Sequence, residues 1–175
     1  MFNYQNVGTV EFLLDGKGNF YFSEIKARIQ VEHSITEMVT GIDLVRQQIL
    51  IAQGDRLPWT QEEVPFHGWA MMCRLNAQDP WQNFLPSPGR LTDVRLPFGP
   101  QVRIDSYIYT GCRVPPDYDP LVAKVTTWGR TREICLSRMK NALADFLLVG
   151  TPTNLPVMQR LMHTKAFARA HYNTD

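Results

Sequence analysis

From Glu24 to Glu32 the chain alternates without a break. Glu24, Lys26, Arg28, Gln30 and Glu32 take every second position, and Ile25, Ala27, Ile29 and Val31 stand between them. An extended chain sends successive side chains to opposite faces. Read as extended, 23–33 puts all five polar groups on one face and the four apolar ones on the other. Two readings are open. The ordinary one is a half-buried strand with a solvated polar side. The other is the floor of an active site, with acids and bases lined up for chemistry.

The residues before this run predict a hairpin. Thr9–Leu14 and Asn19–Glu24 have strand composition, and Asp15-Gly16-Lys17-Gly18 reads as the turn. If Leu14 faces Asn19, then Glu11 faces Phe22 and Thr9 faces Glu24. Glu11 and Glu24 become diagonal neighbours on one face, with Cβ atoms about 7–8 Å apart. Two carboxylates so placed can bracket one hard cation such as Mg²⁺, or they can be two solvated acids on an exposed face.

Downstream, 36–54 reads as one helix, capped by Thr36 or Asp43, striped by Leu44, Val45, Ile49 and Ala52, and stopped at Gly54. The Pro- and acid-rich stretch 57–68 reads as a connection between structural units, placing domain boundaries at 1–66 and 67–175. Strands are expected at 67–75, 102–108 and 121–127, with a turn-rich loop at 84–91. Residues 114–120 hold three prolines, so they cannot form a central strand. A helix over 131–148, capped by Thr131, carries Ile134, Met139, Leu143, Phe146 and Leu147, and a last helix runs from 154 to 162. The expected class is α+β.

Composition narrows the function classes. The chain has 175 residues and a formal net charge of +1, which points to no nucleic acid and no membrane surface. No apolar run approaches the ~20 residues that span a bilayer. Cys73, Cys112 and Cys135 are odd in number and far apart, which fits reduced thiols in a cytoplasmic protein better than a disulfide framework or a zinc site. His67, His163 and His171 show no ligand spacing. Trp59, Trp69, Trp81 and Trp128 read as core or interface, and Asp117 and Asp119 as loop chemistry.

The run Glu24-x-Lys26-x-Arg28-x-Gln30-Val31-Glu32-His33 resembles the signature of biotin carboxylases, the ATP-grasp enzymes that carboxylate biotin. Their pattern is Glu-x-Asn-x-Arg-x-Gln-Val-Glu-His. The resemblance continues through GTVEFLL (8–14), ITEMVTGIDLV (35–45), CRLNAQDP (73–80), FLPSPG (84–89), YDPLVAK (118–124) and RMKNAL (138–143), and so covers essentially the whole chain. Other ATP-grasp ligases, carbamoyl-phosphate synthetases included, share the metal-binding acids but not QVEH followed by FLPSPG. The resemblance favours the active-site reading. It implies the C-terminal part of an ATP-grasp domain over 1–66, followed by the family's C-terminal domain, an antiparallel sheet with flanking helices.

By resemblance, Glu11 and Glu24 hold Mg²⁺ or Mn²⁺ for ATP. Arg28 is the catalytic, bicarbonate-binding arginine, and Gln30 with the Val31 backbone amide completes that pocket. Glu32 is the base that takes the last proton from bicarbonate. Arg74 stabilises charge on the ureido oxygen of biotin, and His33 is a structural member of the motif. Bicarbonate, activated with ATP as carboxyphosphate, goes to N1 of biotin on a biotin carboxyl carrier protein. The carboxyltransferase that follows is expected to be that of acetyl-CoA carboxylase, and a homodimer is implied.

Two departures qualify these expectations. Lys26 stands where the family has an Asn oxygen ligand, and an ammonium has three donors and no acceptor. It either weakens or removes one metal site, leaving Glu11 and Glu24 able to hold one ion, or takes the place of a cation and touches phosphate directly. The sequence also shows no glycine-rich phosphate loop and none of the family's N-terminal domain or lid, so the chain reads as a C-terminal piece, inactive alone. The competing expectation is a non-catalytic assembly or dimerisation module of a carboxylase complex.

Overall fold

Asp15 organises the first hairpin. In a computed structural model, which describes residues 4–172, its Oδ1 accepts from the backbone N–H groups of Lys17 and Asn19 at 2.8 and 2.9 Å. The Asn19 side chain donates to Oδ2 at 2.9 Å and, with the backbone bonds, holds the carboxyl below the usual range. The turn joins β1 (Thr9–Leu14) to β2 (Phe20–Lys26) in an antiparallel pair. The register differs from the expected one. Leu14 faces Phe20, Phe12 faces Phe22, and a bulge then skips Ser23, so Glu11 lies directly opposite Glu24.

The polar row does not run on to Glu32. β2 ends at Lys26, and the chain is irregular until α1 (His33–Thr40). Local bonds explain the stop. The Arg28 N–H donates to the Lys26 carbonyl at 2.9 Å and the His33 N–H to the Gln30 carbonyl at 3.2 Å, so these groups serve turns instead of a ladder. The helix expected over 36–54 is two helices. Gly41, at φ +72°, ends α1, and Asp43 starts α2 (Leu44–Ala52) by accepting from the Arg46 N–H at 2.8 Å. The stripe on α2 also differs: Val45 and Ile49 are exposed, and Gln47 is buried.

The chain divides into two compact units, one ending at Phe66 and one beginning at His67. The second opens with β3 (Trp69–Asn76), β4 (Gln78–Asp79), β5 (Leu85–Pro86), β6 (Gly89–Arg90) and β7 (Asp93–Arg95). It continues through β8 (Val102–Ser106), β9 (Arg113–Val114), β10 (Leu121–Gly129) and α3 (Arg132–Asp145), and ends with β11 (Leu147–Val149), α4 (Leu155–Met162) and α5 (Lys165–Ala168). β10 is the centre of an antiparallel sheet ordered β3-β10-β8. β4–β5, β6–β9 and β7–β11 form separate short pairs, so the loop expected over 84–91 contributes two strand fragments.

One face of the sheet, including Cys73, Leu75 and Val125, shares the core with Leu136, Met139 and Leu143 of α3. Thr131 caps α3 by accepting from the Ile134 N–H. The helix stops at Asp145 and does not reach 148. Phe146 adopts an extended backbone, and Leu147–Val149 pairs with Asp93–Arg95 instead. Among the described residues no helix is long and apolar enough to cross a membrane.

Cys73, Cys112 and Cys135 are all buried and free. Burial pushes the Cys73 thiol from its ordinary 9.0 up to about 12. A raised acid stays neutral in the fold while the unfolded thiol ionises. Its contribution to stability is therefore complete below pH 9 and is lost as pH rises from 9 towards 12. At about pH 8 a thiol dye should label the native chain less than a tenth as fast as the unfolded chain. Equal rates would show that this core opens readily.

Candidate functional site

The bulge at Ser23 sets the chemistry of the hairpin. Because Glu24 stands opposite Glu11 and Lys26 opposite Thr9, the acids and the lysine share one face, with Lys26 diagonal to Glu11. Lys26 Nζ donates to Glu11 Oε1 at 2.5 Å and lies 3.2 Å from Glu24 Oε1. The Gln30 side chain donates to the same Glu11 oxygen at 3.0 Å. Glu11 and Lys26 are about two-thirds covered, while Glu24 is half exposed. The Lys26 hydrogen bond, above the other causes, holds the Glu11 carboxyl below the usual range. The Glu11 and Glu24 bonds hold the ammonium above its own.

This arrangement does not fit a divalent ion. Mg²⁺ needs oxygen ligands at about 2.0–2.1 Å, and both carboxylates turn an oxygen to an ammonium that cannot ligate. Among the described residues no group of three or more His, Cys, Asp and Glu could hold a metal.

The segment between β2 and α1 carries the remaining candidates of the first unit. Arg28 is exposed, and its Nη1 donates to the Ile29 carbonyl at 3.0 Å. Glu32 is exposed at the N-cap of α1, and its carbonyl accepts from the Ile35 N–H at 2.9 Å. Val31, between them, is half-buried. His33 Nδ1 lies 3.2 Å from Glu37 Oε1, which also accepts from the Leu44 N–H at 2.9 Å. That carboxylate therefore ties α1 to the start of α2. Contacts thus join Glu11, Glu24, Lys26 and Gln30, while Arg28 bonds within its own segment.

Arg74 belongs to the second unit. It sits on β3 between buried Cys73 and Leu75, so the alternation of the strand turns it away from the core. The buried Asn154 fixes its backbone: Nδ2 donates to the Arg74 carbonyl at 3.1 Å, and Oδ1 accepts from the Asn76 N–H at 2.9 Å. Across the sheet Arg74 pairs with Lys124, and Lys124 with Asp105. Asp105 accepts from Arg103 Nε at 2.9 Å and lies 3.2 Å from Lys124 Nζ. Burial alone would raise its carboxyl, but these two cations outweigh burial and hold it below the usual range. Sequence reasoning missed this charged row. Its signal was the alternation of Arg103 and Asp105 on an expected strand.

Residues 72–175 match the family model of the biotin carboxylase C-terminal domain. Residues 1–60 match that of the carbamoyl-phosphate synthase L chain ATP-binding domain. The biotin carboxylase of Nostoc sp. is 49% identical over 99% of this chain and 39% of its own length. A pyruvate carboxylase component from Methanothermobacter thermautotrophicus is 44% identical over 98% of this chain and 35% of its own. Among solved structures, the biotin carboxylase domain dimer of Hydrogenobacter thermophilus 2-oxoglutarate carboxylase, in complex with MgADP, ADP and bicarbonate, matches with a TM-score of 0.93. It is 41% identical over 95% of this chain and 37% of its own. The chain thus spans less than two fifths of the length of each of these proteins. The mixed helix and antiparallel-sheet architecture, the signature run at the β2–α1 junction and the match over most of the length together make this chain a member of the biotin carboxylase family.

Proposed function

We propose that the chain supplies the bicarbonate-activating and biotin-stabilising residues of an enzyme that uses ATP to carboxylate biotin on a carrier protein. The observation that carries this reading is the run Arg28-x-Gln30-Val31-Glu32 between β2 and α1, in a chain whose residues 72–175 match the biotin carboxylase C-terminal domain. In this reading the planar Arg28 guanidinium binds bicarbonate, a match that a flexible ammonium makes less well. Gln30 and the Val31 amide complete the anion pocket. Glu32 removes the bicarbonate proton, and the freed oxygen attacks the terminal phosphoryl group of ATP, breaking its bond to the bridging oxygen so that ADP leaves and carboxyphosphate forms. Arg74 offsets charge on the ureido oxygen once N1 of biotin has lost its proton.

The partners proposed are a biotin carboxyl carrier protein, a carboxyltransferase and a second copy of the protein. The dimer in the Hydrogenobacter thermophilus structure supports the last of these. The buried free thiols support a reducing compartment, the cytoplasm. The transferase sets the final acceptor, and we propose acetyl-CoA. Because relatives are named for pyruvate and 2-oxoglutarate, product formation with each acceptor is the comparison to make. These 175 residues match 39% of the length of the Nostoc relative and should not cleave ATP alone.

A second reading, a non-catalytic assembly or dimerisation module, is favoured by the Lys26 contacts to both acids. The test is ATP cleavage with bicarbonate, with and without biotin, by a chimera in which this chain replaces the matching segment of the Nostoc enzyme. Biotin-stimulated turnover supports the carboxylase. A folded, ATP-binding but inert chimera supports the module.

A further inference from the structure

We propose that Lys26 is the resident counter-cation of the hairpin: its ammonium occupies the place between Glu11 and Glu24 and excludes a divalent ion from the pair. The inference deepens the carboxylase reading, on which the meaning of the site rests, but its test needs no turnover. Three observations carry it. Glu11 and Glu24 are paired directly across the strands, an arrangement of like charges that destabilises a sheet unless something neutralises it. Lys26, diagonal to Glu11 on the same face, reaches both carboxylates, at 2.5 and 3.2 Å. The Glu11 oxygen that meets the ammonium also accepts from Gln30, so it already carries two donors.

One cation is therefore present without any ion from solution. A divalent ion entering between the acids would have to break both contacts and lie against a like charge. Asparagine at position 26 would do the reverse: it adds an oxygen and removes the positive charge. Lys26 also keeps a third N–H beyond the two acids. The pair is thereby locked to the protein's own charge, and a nucleotide's divalent ion has to be held by other groups.

The experiment uses the intact chain and Mn²⁺. In the native chain, Mn²⁺ should leave the amide signals of Glu11, Glu24 and their neighbours unbroadened. Lys26→Asn should bind Mn²⁺ at least about tenfold more tightly, because a unit charge next to the ion is removed. Adding Glu11→Gln to Lys26→Asn should abolish the gain. Broadening centred on the hairpin of the native chain would overturn the proposal without any variant. Equal Mn²⁺ affinity for native chain and Lys26→Asn, with the variant's fold verified by its spectrum, would overturn it as well. Failed turnover in the chimera would leave these binding results standing, and a failed Mn²⁺ test would leave the carboxylase reading standing.

Discussion

Glu32→Gln in the chimera should lower bicarbonate-dependent ATP cleavage by about 10²- to 10⁴-fold, the usual loss when a positioned general base is removed. Glutamine keeps the shape of the side chain and cannot take a proton. Glu32 stands at the N-cap of α1 without making a side-chain cap bond, so the change removes no capping hydrogen bond from the helix end. The loss should appear in kcat with little change in the KM for ATP, because the proposed proton removal follows nucleotide binding. A variant that keeps wild-type kcat would remove Glu32 from the mechanism. Loss of kcat together with loss of folded protein would instead mark a structural role.

The largest stability effect is expected at Gly150. An alanine Cβ there would stand 2.2 Å from the Arg90 carbonyl oxygen and 2.7 Å from the Thr92 nitrogen, at φ +115°. Both neighbours are backbone, and the segment that carries them is held. The Thr92 N–H donates to the Val149 carbonyl at 2.8 Å, and Thr151 Oγ1 donates to the Ser87 carbonyl at 2.7 Å. A left-handed non-glycine residue costs about 1–3 kcal/mol, and overpacking adds a similar amount. Gly150→Ala should therefore cost about 3 kcal/mol or more, a fall in Tm on the order of 10 °C. Gly54 is the control: at φ +97° a Cβ there meets nothing within 4 Å. Gly54→Ala should cost the strain alone, about 1 kcal/mol. Equal Tm values for the two variants would mean that the 85–92 segment relaxes freely around Gly150.

Much of the hairpin and of the long elements was legible in the sequence. Thr9–Leu14 has its expected bounds, the 15–18 turn forms, and α4 covers 155–162 of the expected 154–162. What stayed hidden came from single-residue geometry. The bulge at Ser23 moves Glu24 opposite Glu11, and a strand's period of two gives no sign of a skipped residue. Gly41 and Asp43 each carry a helix-end signal, but Thr36 and Asp43 both read as possible caps of a single helix. Phe146 and Leu147 continue the helical spacing of α3, yet tertiary pairing with Asp93–Arg95 draws Leu147 into a strand. The candidate site was legible as a motif. Its electrostatics were not, because the contact of Lys26 with two carboxylates depends on the register that the bulge creates.

We propose that this chain completes a biotin carboxylase. The most direct measurement is the rate of ATP cleavage by the chimera in bicarbonate, with and without free biotin. Turnover should rise on adding biotin and disappear without bicarbonate. A folded chimera that binds ATP and shows no bicarbonate-dependent cleavage would contradict the claim.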